Sequence, residues 1–231
     1  MKTALLVLVL SLSSFAQELP TEPIGYYSDG SLRHGQRLPD QGPGFMKLFL
    51  DRNRSFGAAE MINMITKATA GLNEAFPNLD RLQIGDIAKE GGGKVSDLHT
   101  SHQNGLDVDV TYFRLNHKEQ APEHITGFSE TMVTGGRISK NFDTPRVWEF
   151  LKKLHENGQV QRIFMDPVIK KEICRLARLK KEVVSFEEVL RSLRPYPGHA
   201  DHMHIRLRCP LEAKECRAQE DPPAGSGCAG R

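Results

Sequence analysis

The sequence predicts a single α+β domain built on a small antiparallel sheet, with helices packed on one side of it. Two short segments, 106–110 and 203–207, alternate apolar and polar residues, which is the period of a half-buried strand. Other segments repeat apolar residues with the period of an amphipathic helix. Because these helices and strands interleave irregularly, the pattern favours an α+β fold over a regular series of βαβ units.

The composition is that of an ordinary globular protein. The 231 residues are 39% hydrophobic and 26% charged, which is enough to bury one sizeable core. The formal net charge is +2, and no block of basic residues indicates a nucleic-acid partner.

The N-terminus has the form of a secretory signal peptide. Lys2 precedes an apolar run over residues 4–12, and Ala16 stands at the expected cleavage site. The run is too short to span a bilayer, which needs about 20 residues. We therefore expect residues 1–16 to be removed and residues 17–231 to form an exported domain without a membrane anchor.

The first half of the exported chain is predicted to contain an arm, a helix and a strand. Residues 17–44 are rich in glycine and proline, so we expect an extended arm without regular structure. From Ser55, a candidate N-cap, apolar residues follow at helical spacing until Pro77. A strand is expected within 82–88. The arm would dock through four apolar side chains: Tyr26, Tyr27, Leu32 and Phe45.

The second half is predicted to hold a loop, a helix, a strand and two further helices, the last with a capping box at residues 185–188 and a break at residues 194–198. Residues 111–140 show no period, which is typical of a long surface loop. Asp143 or Thr144 caps the first helix, with a proline in its first turn. Residues 160–165 form a short apolar strand, and Asp166 begins the second helix.

Histidines concentrate in the two alternating segments and the turns before them. Asp109 lies within reach of His102 across a turn, and His202 and His204 share one face of the other strand. The histidines of either segment alone could lie on a solvated surface. Histidines concentrated in two separate strand-patterned segments are hard to explain as solvated surface residues. Five of the nine histidines are involved: His99, His102, His199, His202 and His204.

This set predicts a catalytic zinc site on one face of the sheet. Neutral imidazole and carboxylate suit zinc, and a catalytic site keeps one position open for water, whose pKa falls toward about 7. His102, Asp109 and His204 are the predicted ligands, and His99 is a further candidate. No glutamate adjoins a ligand, so we assign the general base to His202.

The remaining polar residues each have more than one interpretation. His199, the second catalytic candidate, could stabilise the tetrahedral intermediate, contact substrate or, like His99, orient a ligand through its other ring nitrogen. Asp107 and Asp201 fit either a local hydrogen bond or an orienting role. Arg206 could bind a substrate carboxylate or simply pair with an acid.

The same segments resemble a known family. Residues 101–109 and 202–210, with 160–164, 167–171 and 189–228, are similar to the penicillin-insensitive murein endopeptidases. These are zinc peptidases of the lysostaphin, D-Ala-D-Ala carboxypeptidase and hedgehog group. The resemblance implies that family's fold and the hydrolysis of peptidoglycan cross-links between D-alanine and meso-diaminopimelic acid in the periplasm. It also implies that penicillin does not inhibit the reaction and that His202 is the general base.

Two rival functions stay open at this point. One is a zinc carboxypeptidase that acts on free D-Ala-D-Ala ends. The other is a zinc-stabilised peptidoglycan-binding module without catalysis, against which the retention of His202 and His199 argues. Some relatives hold a second metal ion with an aspartate and a histidine. Residues 135–139 offer neither, so we expect one zinc ion per chain.

The four cysteines indicate two disulfides. None lies in a Cys-x-x-Cys pair, and an exported chain favours disulfides over a thiolate zinc site. Three pairings are compatible with the sequence. The family resemblance implies Cys209 with Cys216 and Cys174 with Cys228, the second of which would hold the C-terminal tail against the body.

Overall fold

The structure is a computed structural model that describes residues 19–95, 99–123, 127–156 and 159–228. The predicted signal peptide, residues 1–16, lies outside these ranges. The described α-helices are α1 (Ala59–Ala75), α2 (Thr144–His155), α3 (Pro167–Leu179) and α4 (Glu187–Ser192), and a 3₁₀ helix covers Leu50–Arg52. The described strands are β1 (Glu22–Tyr26), β2 (Asp29–Arg33), β3 (Gln36–Arg37), β4 (Gln41–Gly42), β5 (Phe45–Lys47), β6 (Phe56–Gly57), β7 (Leu82–Ile84), β8 (Asp107–Thr111), β9 (Val133–Thr134), β10 (Arg137–Ile138), β11 (Val160–Met165), β12 (Leu193–Pro195) and β13 (His202–Leu207).

Seven of the described strands form one sheet, in the order β12-β11-β13-β8-β7-β5-β4. The pairs β11 with β12 and β5 with β7 are parallel, and the other pairs are antiparallel. The α+β class is therefore confirmed, with a larger and more mixed sheet than expected. The difference arises because short strands, too short to show a period, extend both edges.

The centre of the sheet separates an apolar face from a polar one. β8 and β13 are antiparallel neighbours, with Ile205 opposite Val108 and His204 opposite Asp109. Ile205 and Val108 are fully buried in the core, and burying such a side chain contributes about 1.5–3 kcal/mol. A slip by one residue would move the apolar set to the wrong face, so the core fixes which side the histidines occupy.

The helices pack their apolar faces into the same core. As predicted, Asp143 caps α2, and its carboxylate accepts a hydrogen bond from the N–H of Arg146 at 3.1 Å. Asp166 caps α3 by accepting from the N–H of Val168 at 2.7 Å. Within the described ranges, no helix is long and apolar enough to cross a membrane.

The start of α1 differs from the prediction. Ser55 is not its cap, because the two residues after Ser55 form β6 and keep the chain extended. The N-cap is Ala58, which has no side chain able to cap. The hydroxyl of Thr21 accepts from the N–H of Ala59 at 2.9 Å instead. The arm thus contributes a cap from a distant part of the chain.

The prediction of an irregular arm is also wrong. Its residues form the β1–β2 hairpin and the short strands β3 and β4. Three of the predicted docking residues, Tyr27, Leu32 and Phe45, are buried. The hydroxyl of Tyr27 donates to the carbonyl of Leu207 at 2.7 Å, so the arm is fixed directly to β13.

Two disulfides hold the C-terminal third together. Cys174 of α3 pairs with Cys228 across 54 residues, and Cys209 pairs with Cys216 across 7. These are the pairings that the resemblance implied. The first fixes the C-terminal segment to α3, and the second closes the loop that follows β13.

Removal of the long-range disulfide should cost more stability than removal of the short one. In the loop-entropy model, opening the 54-residue loop costs about 4 kcal/mol and opening the 7-residue loop about 2 kcal/mol. Urea unfolding of Cys174→Ala/Cys228→Ala, with Cys209→Ala/Cys216→Ala as the matched control, measures both. An equal loss, or a larger loss for the short loop, would contradict this prediction.

Candidate metal centre

A cavity of about 510 Å³ opens on the polar face at the centre of the sheet. Its lining includes Asp109 and all five histidines singled out from the sequence. Asp109 projects from β8, His202 and His204 project from β13, and the turn before β8 carries His102. The two alternating segments therefore do bring their imidazoles to one site.

The register of β8 and β13 brings three donor atoms together. His204 pairs with Asp109, and Nδ1 of His204 lies 3.3 Å from Oδ1 of Asp109. Nε2 of His102 lies 3.4 Å from the same oxygen. A tetrahedral zinc ion with bonds of about 2.0–2.1 Å has ligand-to-ligand distances of about 3.3–3.4 Å. These two distances match edges of such a tetrahedron.

Contacts on the far side of each ring set which nitrogen faces Asp109. Nδ1 of His102 lies 3.0 Å from the carbonyl oxygen of Ile87 and must donate to it, because a carbonyl can only accept. Nε2 of His204 lies 3.0 Å from Oδ1 of Asp107. This leaves Nε2 of His102 free to present a lone pair beside Asp109, as a metal ligand must, and Nδ1 of His204 faces the same carboxylate.

These residues fit a zinc ion. Nε2 of His102 and Oδ1 of Asp109 are buried, and neither has a hydrogen-bond partner in the described part of the chain. Buried polar atoms without partners are rare, and a bound ion is one of the few reasons for them. Two imidazole nitrogens and a carboxylate oxygen are the donors that zinc accepts.

The charges around the site keep its carboxylate ionised. Burial alone would raise the pKa of Asp109, but the histidines around it, His102 first, outweigh burial and hold that pKa well below its usual range. Burial would lower the pKa of His204, but Asp107 and Asp109 raise it to about 9. A metal ion must therefore displace a proton from His204, so metal binding is coupled to proton release.

His102 has a backbone conformation that few residues adopt. Its φ of 65° lies in the left-handed region, which is uncommon outside glycine. Its N–H donates to Oδ2 of Asp107 at 3.2 Å. At Gly105, which follows with φ 75°, a Cβ would lie only 2.9 Å from the backbone nitrogen of Ala58. This turn places the imidazole of His102 on the same face as Asp109.

The sequence model of the penicillin-insensitive murein endopeptidase family matches residues 23–231, which include the whole site. The chain belongs to this family. A relative of that name from Haemophilus influenzae is 33% identical over 211 residues, covering 89% of this chain and 70% of the relative. The relative from Klebsiella pneumoniae is 30% identical over 237 residues, covering 97% and 84%. The relative from Yersinia pestis is 31% identical over 210 residues, covering 90% and 73%.

In this member of the endopeptidase family, His99 lies close to the donor cluster. Donor atoms of His99, His102 and Asp109 lie within 4.8 Å of one another, so these three could also hold a metal ion. Nε2 of His99 is 2.9 Å from Oδ2 of Asp86, which also accepts from Arg52 at 2.9 Å. Asp86 thus orients the ring of His99 from behind.

His202 lies beside the donor cluster and is held by neighbours from two parts of the chain. Its Nδ1 lies 2.6 Å from Oδ1 of Asp201. Its Nε2 lies 3.8 Å from Oδ1 of Asp109, inside the cavity. The ring stacks on Phe128, with centroids 4.7 Å apart and planes at 24°. One ring nitrogen is therefore occupied by a carboxylate while the other faces the cavity.

His199 forms the outer wall of the same cavity. Its ring centroid is 4.9 Å from that of His202 and 6.1 Å from that of His204. Burial, followed by the proximity of these two histidines, lowers the pKa of His199. Its Nδ1 lies 3.2 Å from the carbonyl oxygen of Pro197 and must donate to it, so the neutral ring offers Nε2 as an acceptor to a molecule in the cavity.

Of the two roles considered for Arg206, the structure shows the pair with an acid. Its Nε and Nη2 donate to Asp107 at 2.7 and 3.1 Å, and its Nη1 donates to Gln219 at 2.8 Å. The residue is only 7% exposed. Its charge is already paired, so Arg206 is a fixed part of the cavity wall.

Sequence reasoning missed two residues that shape this site. Phe128 lies in the segment without periodicity, and no local pattern indicates its contact with His202. Asp86 stands within an apolar stretch between Ile84 and Ile87, and a lone acidic residue inside a predicted strand was a usable signal.

Loss of the buried ion pair between Arg206 and Asp107 should destabilise the protein far more than loss of an exposed ion pair. Arg206→Ala would leave the carboxylate of Asp107 without its main partner and should cost about 3–5 kcal/mol of unfolding free energy. The matched control is Arg208→Ala, whose pair with Asp221 has side chains 37% and 46% exposed and should contribute less than about 1 kcal/mol. Urea denaturation measures both, and similar small losses would show that Arg206 is not structural.

Proposed function

We propose that this protein is a zinc peptidase that hydrolyses the peptide cross-links of murein, between D-alanine and meso-diaminopimelic acid. The observation that carries the proposal is the convergence of donor atoms from His102, Asp109 and His204 in an open cavity. Relatives named murein endopeptidase, at 30% to 33% identity over most of the chain, support the substrate class.

The geometry favours His102, Asp109 and His204 as the zinc ligands over a set that includes His99. Nδ1 of His99 is 3.7 Å from one carboxylate oxygen of Asp109, farther than Nδ1 of His204, which is 3.3 Å from the other. Three protein ligands leave one position open, which is typical of catalytic rather than structural zinc sites.

His202 carries the proton transfers of the proposed reaction. When bound, zinc supplies Lewis-acid chemistry that polarises the scissile carbonyl and lowers the pKa of water. Nδ1–H of His202 donates to Asp201, so Nε2 is the basic nitrogen and accepts the proton of the attacking water. The same nitrogen then donates that proton to the leaving amine.

The neighbours of His202 keep this nitrogen aimed into the cavity. Asp201 fixes the tautomer, and the stacked ring of Phe128 restricts rotation of the imidazole. His199, on the other side of His202, has its Nδ1 3.2 Å from the carbonyl oxygen of Pro197, so its neutral ring would contact substrate by accepting a hydrogen bond at Nε2. The general base is therefore positioned before substrate arrives.

The proposed location is the periplasm. The two disulfides favour folding in an oxidising compartment. The signal peptide predicted at residues 1–16 provides the route of export. Murein lies in that compartment, so enzyme and substrate would meet there.

Purified protein should convert cross-linked muropeptide dimers into monomers. A chelator should abolish the reaction and added zinc should restore it, because zinc is the only group in the proposed mechanism that polarises the scissile carbonyl. Penicillin should leave the rate unchanged, because no serine acts as nucleophile. Chromatography of digests of purified sacculi measures all three effects.

The same digests distinguish the rival functions. Release of free D-alanine without loss of dimer would indicate a carboxypeptidase. Zinc bound tightly without cleavage of any stem peptide would indicate a binding module. Strong inhibition by penicillin would exclude the proposed mechanism.

Two neighbouring histidines should separate metal binding from catalysis. His204→Ala should lose both zinc and activity, because a site with two remaining ligands binds weakly. His202→Ala should keep about one zinc per chain and lose about 100- to 10,000-fold in turnover, as expected for a general base. Metal analysis beside a turnover assay measures this. If His202→Ala loses zinc while His204→Ala keeps it, the two roles are exchanged.

A further inference from the structure

The face of the sheet that holds the candidate ligands continues into a patch of arginines on β11 and β12. Phe164 of β11, which lines the cavity, pairs with His204 on one side and with Arg194 on the other. Arg162, two residues before Phe164, pairs with Arg206. Paired residues on neighbouring strands direct their side chains to the same face. Arg162 and Arg194 therefore lie on the face of the sheet that carries the candidate ligands.

Burial and ring contacts support this assignment of faces. Ile163 and Leu193, the residues just before Phe164 and Arg194, are fully buried in the core on the opposite face. The ring of Phe164 is 5.3 Å from that of His204.

Among the described residues, no acidic side chain forms an ion pair with the two arginines of this patch. Arg194 is partly buried, and its side chain makes no hydrogen bond or ion pair within the described ranges. Arg162 donates to the carbonyl of Glu220, and its Nε is buried without a partner among the described residues. Asp221, an acid near Arg162, is already paired with Arg208.

The electrostatics of Arg162 reflect this excess of positive charge. Burial, followed by repulsion from Arg194 and Arg206, lowers the pKa of Arg162. A half-buried guanidinium without an anion is unfavourable, and a carboxylate that binds it through two parallel hydrogen bonds relieves the cost. The patch is therefore built to receive an anion.

We propose that Arg194 and Arg162 form a subsite for a free carboxylate of the murein peptide. This inference rests on the proposed function, because it takes the cross-linked stem peptide, which carries free carboxylates, as the substrate. The patch adjoins the cavity through Phe164, so one peptide can occupy both.

Distance sets where this carboxylate lies along the peptide. β12 is two strands from β13, which is roughly 10 Å at about 4.8 Å per strand. An extended peptide advances about 3.3–3.6 Å per residue, so the carboxylate lies within about three residues of the scissile carbonyl. The ring of Phe164 lies between the two sites, 5.7 Å from that of Tyr196, and both rings would contact apolar parts of the peptide.

The test compares Arg194→Gln with the unchanged protein on two substrates. One is a muropeptide dimer with free diaminopimelate carboxylates, and the other is the same dimer with these carboxylates amidated. For the free dimer, KM should rise about 10- to 100-fold, the loss expected for one charge-assisted contact, with kcat little changed. For the amidated dimer, the two proteins should behave alike.

Matched variants separate this effect from changes in folding or general charge. Arg175→Gln removes an exposed arginine paired with Glu172 and should leave both substrates unaffected. Arg194→Lys should recover part of the loss in KM, and Arg162→Gln should reproduce the preference of Arg194→Gln. Equal effects of Arg194→Gln on free and amidated dimers, or no effect on either, would overturn the subsite.

A binding measurement distinguishes failure of the subsite from failure of the proposed function. Calorimetry with zinc-loaded His202→Ala protein gives the Kd of the uncleaved dimer, with and without Arg194→Gln. A 10- to 100-fold weaker Kd for the free dimer alone supports the subsite even if the unchanged protein cleaves no murein. No measurable binding of the dimer by His202→Ala protein would overturn the subsite.

Discussion

The arrangement of the site depends on one buried carboxylate, that of Asp107. It is fully buried, and it accepts hydrogen bonds from Arg206 and from the backbone N–H of His102. It also lies 3.0 Å from Nε2 of His204. Burial alone would raise its pKa, but Arg206 and His204 hold the pKa of Asp107 well below its usual range. One charge thus stabilises the unusual backbone of one candidate ligand and lies against the imidazole of another.

The sheet arranges opposite charges along one face. Carboxylates project from β8, imidazoles from β13 and arginines from β11 and β12. The apolar residues between them, such as Val108 and Ile205, lie on the other face and hold the strands in register. A peptide lying across these strands would meet the candidate metal ligands first and a positive charge roughly two strands further on. The same alternation of residues that buries apolar side chains in the core therefore also places the carboxylates, imidazoles and arginines side by side on the face of the cavity.

Sequence patterns predicted a helix end correctly where that end is decided by residues close together in the sequence. The caps at Asp143 and Asp166 were correct because a cap is a contact between residues two or three positions apart. The irregular arm and the cap at Ser55 were wrong because both are decided by contacts over long distances in sequence. Thr21 caps α1, and Tyr27 fixes the arm to the distant strand β13.

The sequence by itself determined the family, the α+β class and the residue types of the site, because alternation with a period of two is local and assigns each side chain to a face. The tertiary structure decided which partners those residues have. The register of β8 against β13 paired Arg206 with Asp107 and placed His204 against Asp109. The stacking of Phe128 on His202 and the position of two arginines beside Phe164 likewise depend on strands and loops far apart in sequence. No local pattern specifies such contacts, because they exist only once the core has fixed the order and register of the strands.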